Sequence, residues 1–304
     1  MWTLCDILAK KLPIEISIST KVEIPQQIRA GFISVARRLS GFSQEDFRIN
    51  ELYAPSTHLL NSENKKLIRA ALVLSGATAL ELEPEKFVDL AVAIEMLHNA
   101  SLIHDDIIDK DLTRRGLPTV HIKYGEPAAI LAGNANITKA IKYASRYGGP
   151  VVERASEAAL DMCAGELLDY NIQKTGRIPM LDEYLTIIGL KTASLMGAST
   201  SIPATYVGDD ASEKALNEIG YNIGLAFQLR DDIIEYQGIK SRESTVQTKF
   251  RPNIVTVFEN HGKENPVKTA IKLNNFYTSQ ARERLGALSN PELFDAYLSF
   301  LEIE

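Results

Sequence analysis

Two groups of carboxylates, each at the end of an apolar helical stretch, are the residues of this chain best suited to do chemistry. In the first group, within residues 94–116 (IEMLHNASLIHDDIIDKDLTRRG), Asp105 and Asp109 lie four residues apart. Side chains at this spacing share one helix face, and like charges there repel each other unless a cation neutralises them. Carboxylate oxygens suit Mg²⁺, which commonly joins one or two carboxylates to substrate phosphates. The spacing therefore indicates a magnesium site, with a solvated acidic helix end as the simpler alternative.

Two arginines favour the metal site over a mere acidic helix end. Arg114 and Arg115 follow Asp109 by little more than one helical turn, before Gly116 and Pro118, where we expect the helix to end. A guanidinium group binds two phosphate oxygens at once with a planar pair of N–H donors. Carboxylates that need a metal and arginines that need an anion together predict a metal-bridged diphosphate site.

The second group of acids lies in residues 224–235 (GLAFQLRDDIIE), late in another apolar helical stretch. Gln228, Asp231, Asp232 and Glu235 share one helix face by the same spacing argument. Two such motifs, more than a hundred residues apart, predict facing walls of one cavity inside a helical bundle. Between them in sequence, Lys191-Thr192 offers a cation and a hydroxyl that could complete a phosphate site, although a lone helical lysine is ordinarily just solvated.

The elements that must position these residues are helices. Apolar residues recur at three- and four-residue steps through residues 65–82, 84–109, 150–173, 181–203 and 212–236, while strand signals are almost absent. Proline and glycine fall mostly between these stretches, where they end helices. No low-complexity linker and no repeat of 20–50 residues divides the sequence. We therefore predict one all-α domain over residues 1–304, a helical bundle around a central cavity.

Composition excludes several classes of protein. A net charge of −6 argues against a nucleic-acid partner, because such binding needs clustered lysine and arginine. The first fourteen residues carry charges that rule out a signal peptide, and no later run approaches a membrane-spanning length of apolar residues. Cys5 and Cys163 show neither a pairing pattern nor metal-ligand spacing. A chain that is neither exported nor membrane-spanning, in a cytoplasmic and reducing setting, is the expectation.

Several motifs in order identify the sequence as similar to a known family. HDDIID with RRGLPTVH, then CAGELLDYN, KTASL and GLAFQLRDD, resemble the landmarks of the trans-isoprenyl diphosphate synthases over roughly residues 65–252. LHNASL, residues 97–102, is similar to the geranylgeranyl members. The resemblance implies the isoprenoid synthase fold, a homodimer, and a prenyltransferase that uses three Mg²⁺ ions. Such an enzyme joins isopentenyl diphosphate to an allylic diphosphate by ionisation, condensation and elimination.

The resemblance also implies roles for individual residues. Asp105 and Asp109, supported by Asp106, would hold Mg²⁺ on the allylic diphosphate. A further Mg²⁺ would be held from the opposite wall by the acids of the second motif, Asp231, Asp232 and Glu235. Arg114 would contact the allylic diphosphate, and Lys191, Thr192 and Gln228 would line the reacting centre. Isopentenyl diphosphate would be bound by four residues: Lys66, Arg69, His98 and Arg115.

The sequence departs from the family pattern at several positions. The usual Gly-Gly-Lys-Arg-x-Arg-Pro segment reads NKKLIRA over residues 64–70, which retains Lys66 and Arg69 but loses the glycines, one arginine and the proline. The usual Gly-Asp reads Gly133-Asn134, and the last aspartate of the second motif is Glu235. The lysines expected after that motif are replaced by Arg242 and Arg251, which keep the positive charge with a different geometry.

Product length is predicted from the helix that carries the first motif. Ala100 and Ser101 precede Asp105 by about 6–7.5 Å along a helix, at 1.5 Å per residue. Farnesyl-producing relatives typically place aromatic rings there, whereas these small side chains would let the growing chain pass. We therefore expect geranylgeranyl diphosphate as the product. Leu97, Met96 or a neighbouring helix would close the tunnel, and a longer product is the alternative.

Three other classes of protein compete with this interpretation. A class I terpene cyclase would need serine or threonine where the second motif has Glu235, and glutamate where it has Ile239. A non-catalytic partner subunit of a prenyl synthase is favoured by the altered segment around Lys66 and disfavoured by the two intact acid motifs. A purely structural helical protein would leave six acids on apolar helix faces unexplained.

Overall fold

The fold is known from a computed structural model that describes residues 24–62, 65–238, 252–286, 288 and 290–303. Within these ranges the chain is almost entirely helical. The α-helices, in chain order, are α1 (Arg29–Ser40), α2 (Asn50–Thr57), α3 (Ile68–Ala79), α4 (Val88–Asp109), α5 (Val120–Tyr124), α6 (Glu126–Ala144), α7 (Gly149–Thr175), α8 (Leu181–Ile188), α9 (Ser194–Val207), α10 (Asp210–Tyr236), α11 (Ile254–Asn260), α12 (Pro266–Leu285) and α13 (Glu292–Leu301).

Helices α3 and α9 form the centre of the bundle. Both are buried around nearly their whole circumference, and they pack against each other. A helix that is apolar on every side must be covered on every side, and here α4, α7, α10 and α13 do so. The long helices α4, α7 and α10 carry the acid motifs and their neighbours. The prediction of an all-α, single-domain bundle is confirmed, while the bounds 1–304 stay a prediction.

The predicted helix over residues 181–203 is interrupted. Helix α8 ends at Ile188, a π-helical turn spans Gly189–Ala193, and α9 follows. The interruption lies where two neighbouring helices come unusually close. A Cβ on Gly165 of α7 would stand 2.5 Å from the backbone nitrogen of Lys191, and one on Gly224 of α10 would stand 2.5 Å from the Cα of Ala193. Single π-helical turns occur mostly at functional sites, and this one carries Lys191 and Thr192.

The prediction that the helix of the first motif continues to Gly116 and Pro118 is wrong. Helix α4 ends at Asp109, because Lys110 adopts a left-handed conformation. The two arginines lie instead on a short hairpin of β1 (Thr113–Arg114) and β2 (Leu117–Pro118). Its two turn residues, Arg115 and Gly116, have φ of +56° and +77°. A two-residue hairpin needs positive φ at both turn positions, so the turn folds the arginines back towards the helix end.

The described helices include none that is long and apolar enough to cross a membrane.

Candidate functional site

A large apolar cavity lies between α4, α6 and α7. Its volume is about 560 Å³. The three residues predicted to control product length line it on the α4 side, and Asp105 follows them one turn further along the same helix. Met96 is fully buried and is not part of the lining. The complete lining is Leu97, Ala100, Ser101, His104, Asp105, Ile108, Ile137, Ala159, Met162, Cys163, Glu166, Leu167 and Tyr170.

A smaller polar pocket of about 100 Å³ brings the two acid motifs together. Asp109 of the first motif and Asp232 of the second line it, with Lys191, Thr192 and Gln228 between them. Asp105 and Asp109, one turn apart, therefore line two different spaces: Asp105 the apolar cavity and Asp109 the polar pocket. This arrangement can hold a polar head group in the pocket and an apolar tail in the cavity.

Asp106 of the first motif points into the protein and pairs with the hairpin. Its Oδ1 accepts from Arg114 Nε at 2.7 Å and from Arg114 Nη2 at 2.5 Å. Arg114 Nη2 also lies 3.2 Å from Asp111 Oδ2. Burial raises the pKa of Asp106 to about 6, although the Arg114 charge opposes this. Burial alone would lower the pKa of Arg114, but Asp106 and Asp111 raise it above its ordinary value. The Arg114 guanidinium therefore holds the hairpin against α4 through two hydrogen bonds to Asp106.

Lys191, on the π-helical turn, is held by two carboxylates of α7. Its Nζ lies 2.5 Å from Glu166 Oε2 and 2.8 Å from Asp169 Oδ2. These two charges, with that of Asp105, raise the pKa of Lys191 despite its burial. Burial and the charge of Glu166 raise the pKa of Asp105, which the Lys191 ammonium opposes. A fixed ammonium group therefore stands among acids at the border between the cavity and the pocket.

The second motif is organised by hydrogen bonds to Asp232 rather than by a counter-charge. Asp232 Oδ2 accepts from the Tyr184 hydroxyl at 2.6 Å and from the Ile254 backbone N–H at 3.0 Å. Its Oδ1 accepts from Gln228 Nε2 at 2.9 Å, and Gln228 Oε1 accepts from Thr192 Oγ1 at 3.2 Å. Burial raises the pKa of Asp232 to about 6, which these donors oppose. The chain of bonds fixes the side chains of Gln228 and Thr192 at the pocket wall.

Three of the six motif acids are buried: Asp106, Asp109 and Asp232. The other three, Asp105, Asp231 and Glu235, are half-buried. Of the two predicted aspartates on α10, Asp232 lines the polar pocket and Asp231 does not.

A cationic cluster lies where α3 begins. Arg69 is buried, and burial lowers its pKa to about 10, opposed by the charge of Glu95. Burial, then the charges of Arg69 and Arg115, hold the pKa of His98 well below its usual range, so its imidazole is neutral. Arg115 Nη1 donates to the Leu59 carbonyl at 3.2 Å. Glu95 accepts the Ala70 backbone N–H at 3.0 Å and lies among these cations. Arg69, His98 and Arg115 are therefore brought together as the sequence predicted.

Lys66, the fourth residue assigned to isopentenyl diphosphate, is exposed just before α3. Its Nζ lies 5.8 Å from the ring centroid of Phe227 and 5.3 Å from that of Phe300. Arg242 and Arg251 lie outside the described residues.

The donor chemistry of the site fits Mg²⁺. The acids that face the two spaces present oxygen ligands only, which hard divalent cations prefer. Glu166 Oε1, in the lining of the apolar cavity, is buried without a hydrogen-bond partner. Among the residues that the structure describes, no group of three or more His, Cys, Asp or Glu side chains is already gathered as a metal-binding cluster. Mg²⁺ bound through one or two carboxylates and substrate phosphates needs no such cluster.

Several residues that build the site were not predicted from the sequence. Glu166 and Asp169, which hold Lys191, lie within CAGELLDYN, and two acids three residues apart share a helix face, which could have indicated their role. Glu95 could have been suspected as an acid inside an apolar stretch. No local signal marks Tyr184, because its partner Asp232 is 48 residues away in sequence.

Comparison with known proteins identifies the family of this chain. The family model for polyprenyl synthetase matches residues 49–289. The geranylgeranyl pyrophosphate synthase of Geoglobus acetivorans is 37% identical over 194 residues, which cover 62% of this chain and 60% of that protein. The geranylfarnesyl diphosphate synthase of Methanosarcina mazei is 33% identical over 231 residues, with coverage of 75% and 76%. The alignments thus span about 60% of the length of several curated relatives.

A solved structure, the geranylgeranyl pyrophosphate synthetase of Pyrococcus horikoshii, superposes with a TM-score of 0.78 at 26% identity. The match covers 90% of this chain and 95% of that one. It confirms the isoprenoid synthase fold that the resemblance implied. Since the family model also matches well over half of the residues, the chain belongs to the polyprenyl synthetase family.

Proposed function

We propose that this protein is a Mg²⁺-dependent trans-prenyltransferase that joins isopentenyl diphosphate to an allylic diphosphate. One observation carries the proposal: a polar pocket that joins both acid motifs to Lys191 and Thr192 lies beside an apolar cavity of about 560 Å³. Asp105 and Asp109 border the two spaces. A diphosphate held at this border would place its hydrocarbon chain in the cavity.

Magnesium is assigned to the three half-buried acids and to Asp109, which lines the polar pocket. Asp105 and Asp109 would hold it from α4, and Asp231 with Glu235 from α10, with three ions in the loaded site. Asp232 is given a positioning role instead, because three donors already use its two oxygens. When bound, Mg²⁺ supplies positive charge that stabilises the leaving diphosphate.

The residues of the chain perform the rest of the reaction. Lys191 and Arg114 present cations to the diphosphate as the allylic carbon–oxygen bond breaks, which stabilises the charge that develops on the leaving group. The double bond of isopentenyl diphosphate then attacks the allylic cation, and a carbon–carbon bond forms. The proton lost in the last step passes to the departing diphosphate. The apolar lining excludes water, which would otherwise trap the cation.

Isopentenyl diphosphate is assigned to the cationic cluster at the start of α3. Lys66, Arg69 and Arg115 supply positive charge, and the neutral imidazole of His98 can donate one hydrogen bond to a phosphate oxygen. Arg242 and Arg251 stay assigned to the diphosphate groups by resemblance alone.

The test of this function is an assay of the purified protein with Mg²⁺, isopentenyl diphosphate and an allylic starter. We expect a prenyl diphosphate of increased length and released diphosphate. If the protein alone forms no product but increases turnover by an active synthase, it is a non-catalytic partner subunit. That second candidate is favoured by Leu67, which replaces a family arginine beside Lys66.

Geranylgeranyl diphosphate is the proposed product, because Leu97, Ala100 and Ser101 line the apolar cavity beside Asp105. Geranylfarnesyl diphosphate, five carbons longer, is the second candidate, since relatives with that named activity match at similar identity. Ala100→Phe should shorten the product towards farnesyl diphosphate, and Leu97→Ala should lengthen it. Chromatography of the products would show both shifts, and an unchanged distribution in both variants would remove this helix as the determinant of length.

A homodimer in a cytoplasmic setting completes the proposal. Support for the dimer comes from large apolar side chains exposed on two adjacent helices, α6 and α7: Ile130, Leu131, Ile141, Leu160, Leu167 and Leu168. Contiguous exposed apolar surface commonly marks an interface between proteins. Sedimentation that shows a monomer at assay concentration would contradict the dimer. The cytoplasmic setting is proposed because the two cysteines of the sequence show no pairing pattern.

A further inference from the structure

Helix α13, the last helix that the structure describes, reaches the cationic cluster through one aromatic ring. Phe300, near the end of α13, is buried, and α13 packs against both α3 and α10. The following residues are also fixed, because Asn275 of α12 donates to the carbonyl of Ile303 at 3.0 Å. The position of the Phe300 ring is therefore set by the body of the protein.

Two cations lie against this ring. Lys66 Nζ is 5.3 Å from the Phe300 centroid, and Arg230 Cζ is 4.1 Å from it. Both distances are within the range of about 6 Å over which the ring quadrupole attracts a cation. Phe227, whose centroid lies 6.4 Å from that of Phe300, provides a second ring at 5.8 Å from Lys66 Nζ.

The two cations adjoin the two halves of the candidate site. Lys66 precedes the first turn of α3, where Arg69 belongs to the cationic cluster. Arg230 directly precedes Asp231 on α10, and Phe227 directly precedes Gln228. A lysine side chain has large rotamer freedom and a strongly hydrated ammonium group, so contacts along its length decide where the charge lies. The two aromatic rings restrict the position of the Lys66 ammonium group.

We infer that Phe300 is a positioning residue for isopentenyl diphosphate, because its ring holds the Lys66 ammonium at the start of α3 and the Arg230 guanidinium beside the second acid motif. This inference rests on the assignment of Lys66 to isopentenyl diphosphate in the proposed function. It connects α13 with the binding of isopentenyl diphosphate through Lys66.

The experiment compares KM values for the two substrates in matched variants of the full chain. Phe300→Leu should raise the KM for isopentenyl diphosphate about three- to fivefold, the value of one cation–aromatic contact, and raise the KM for the allylic substrate less. Phe300→Tyr, which keeps the ring, should restore the KM. Phe294→Leu is the control, because Phe294 is a fully buried phenylalanine of the same helix in contact with Tyr297.

A double-mutant cycle separates positioning from a general packing effect. In a Lys66→Ala background, Phe300→Leu should raise the KM for isopentenyl diphosphate much less than in the wild type, since the ring then has lost the ammonium it holds. Equal effects in both backgrounds, or equal effects of Phe300→Leu and Phe294→Leu on both KM values, would overturn the inference. Phe300→Met, whose flexible side chain can fill an irregular space, replaces the leucine variant if that variant does not fold.

The same data distinguish this inference from the function on which it rests. If Lys66→Ala leaves the KM for isopentenyl diphosphate unchanged, the assignment of the isopentenyl site is wrong and the inference is overturned with it. If Lys66→Ala raises that KM and Phe300→Leu does not, only the role of Phe300 is wrong.

Discussion

The two acid motifs have nearly the same sequence, HDDIID and RDDIIE, but the structure stabilises their central carboxylates in opposite ways. Asp106 is held by the charged fork of Arg114, whereas Asp232 is held by Tyr184, Gln228 and the Ile254 N–H, which are neutral. Burial raises the pKa of both carboxyl groups to about 6. The difference shows that one motif is tied to a hairpin by charge and the other to packed helices by hydrogen bonds.

A second consequence concerns the first acid of each motif. Asp105 and Asp231 are half-buried, while the acid that follows each of them is buried and engaged. In each motif the first aspartate of the pair is therefore half-buried and the second is buried and held by its partners, although in the α10 pair it is the buried Asp232 that lines the polar pocket. Substitutions in the two motifs can test this division.

The largest effect is expected from the two half-buried aspartates. Asp105→Ala or Asp231→Ala should reduce turnover on the order of a thousandfold, since each removes a proposed metal ligand and a bound metal contributes several kcal/mol of transition-state stabilisation. The fold should change little, because each substitution also relieves repulsion between acids. Steady-state rates and thermal unfolding of the variants measure both effects. Unchanged turnover in either variant would show that the metal ligands are assigned wrongly.

The next effect separates the two anchoring acids. Asp106→Asn should lower the free energy of unfolding by about 2 kcal/mol, because it leaves the Arg114 guanidinium without its main counter-charge. This value is below that of a fully buried pair, since Arg114 is 29% exposed and keeps Asp111 as a partner. Asp232→Asn should lower the free energy of unfolding by less than about 1 kcal/mol, because neutral donors can form hydrogen bonds to the amide oxygen as well.

Urea unfolding at pH 7.5 without metal measures this contrast. Asp111→Asn is the control for a general loss of charge near the hairpin, since it removes only the weaker partner of Arg114 at 3.2 Å. Equal losses in Asp106→Asn and Asp232→Asn would show that the two motifs are anchored alike.

The free energy of unfolding should depend on pH through His98 of α4. Helix α10 contains no histidine and makes no such contribution. Burial and nearby arginines hold the pKa of His98 well below its ordinary value. Below about pH 6.5 the unfolded chain binds a proton at this histidine and the folded chain does not, so stability falls as pH falls. From pH 7.5 to 5.5 the wild type should lose up to about 1.4 kcal/mol more than His98→Gln. Urea unfolding at both pH values tests this, and parallel losses would contradict it.

The smallest effect concerns the neutral network of the second motif. Tyr184→Phe should lower the free energy of unfolding by about 1 kcal/mol, because Asp232 Oδ2 keeps the Ile254 N–H after the hydroxyl is removed. Turnover should fall more than stability explains if Asp232 orients Gln228 at the pocket wall. Tyr206→Phe, at an exposed tyrosine of α9, is the matched control. Full turnover in Tyr184→Phe would show that the network is only structural.

The helical fold and the two acid motifs could be predicted from the sequence, as could the selection of Arg69, Arg115 and the neutral His98 as candidate site residues. Apolar periodicity is a local property, and acids inside an apolar stripe are visible in any short window of the sequence. It also placed Leu97, Ala100, Ser101 and Asp105 on one side of α4, since a helix repeats every 3.6 residues.

The tertiary structure was needed to show that Asp106 and Asp232 are buried against partners while Asp105 and Asp231 are half-buried. Adjacent residues of a helix point about 100° apart, so the sequence alone cannot tell which of Asp105 and Asp106 meets Arg114. The early end of α4 depends on Lys110 and on a hairpin turn, and the π-helical turn at Lys191 lies where α7 and α10 approach it. The partners Glu166, Tyr184 and Phe300 come from distant segments, because burial and charge are satisfied in three dimensions rather than along the chain.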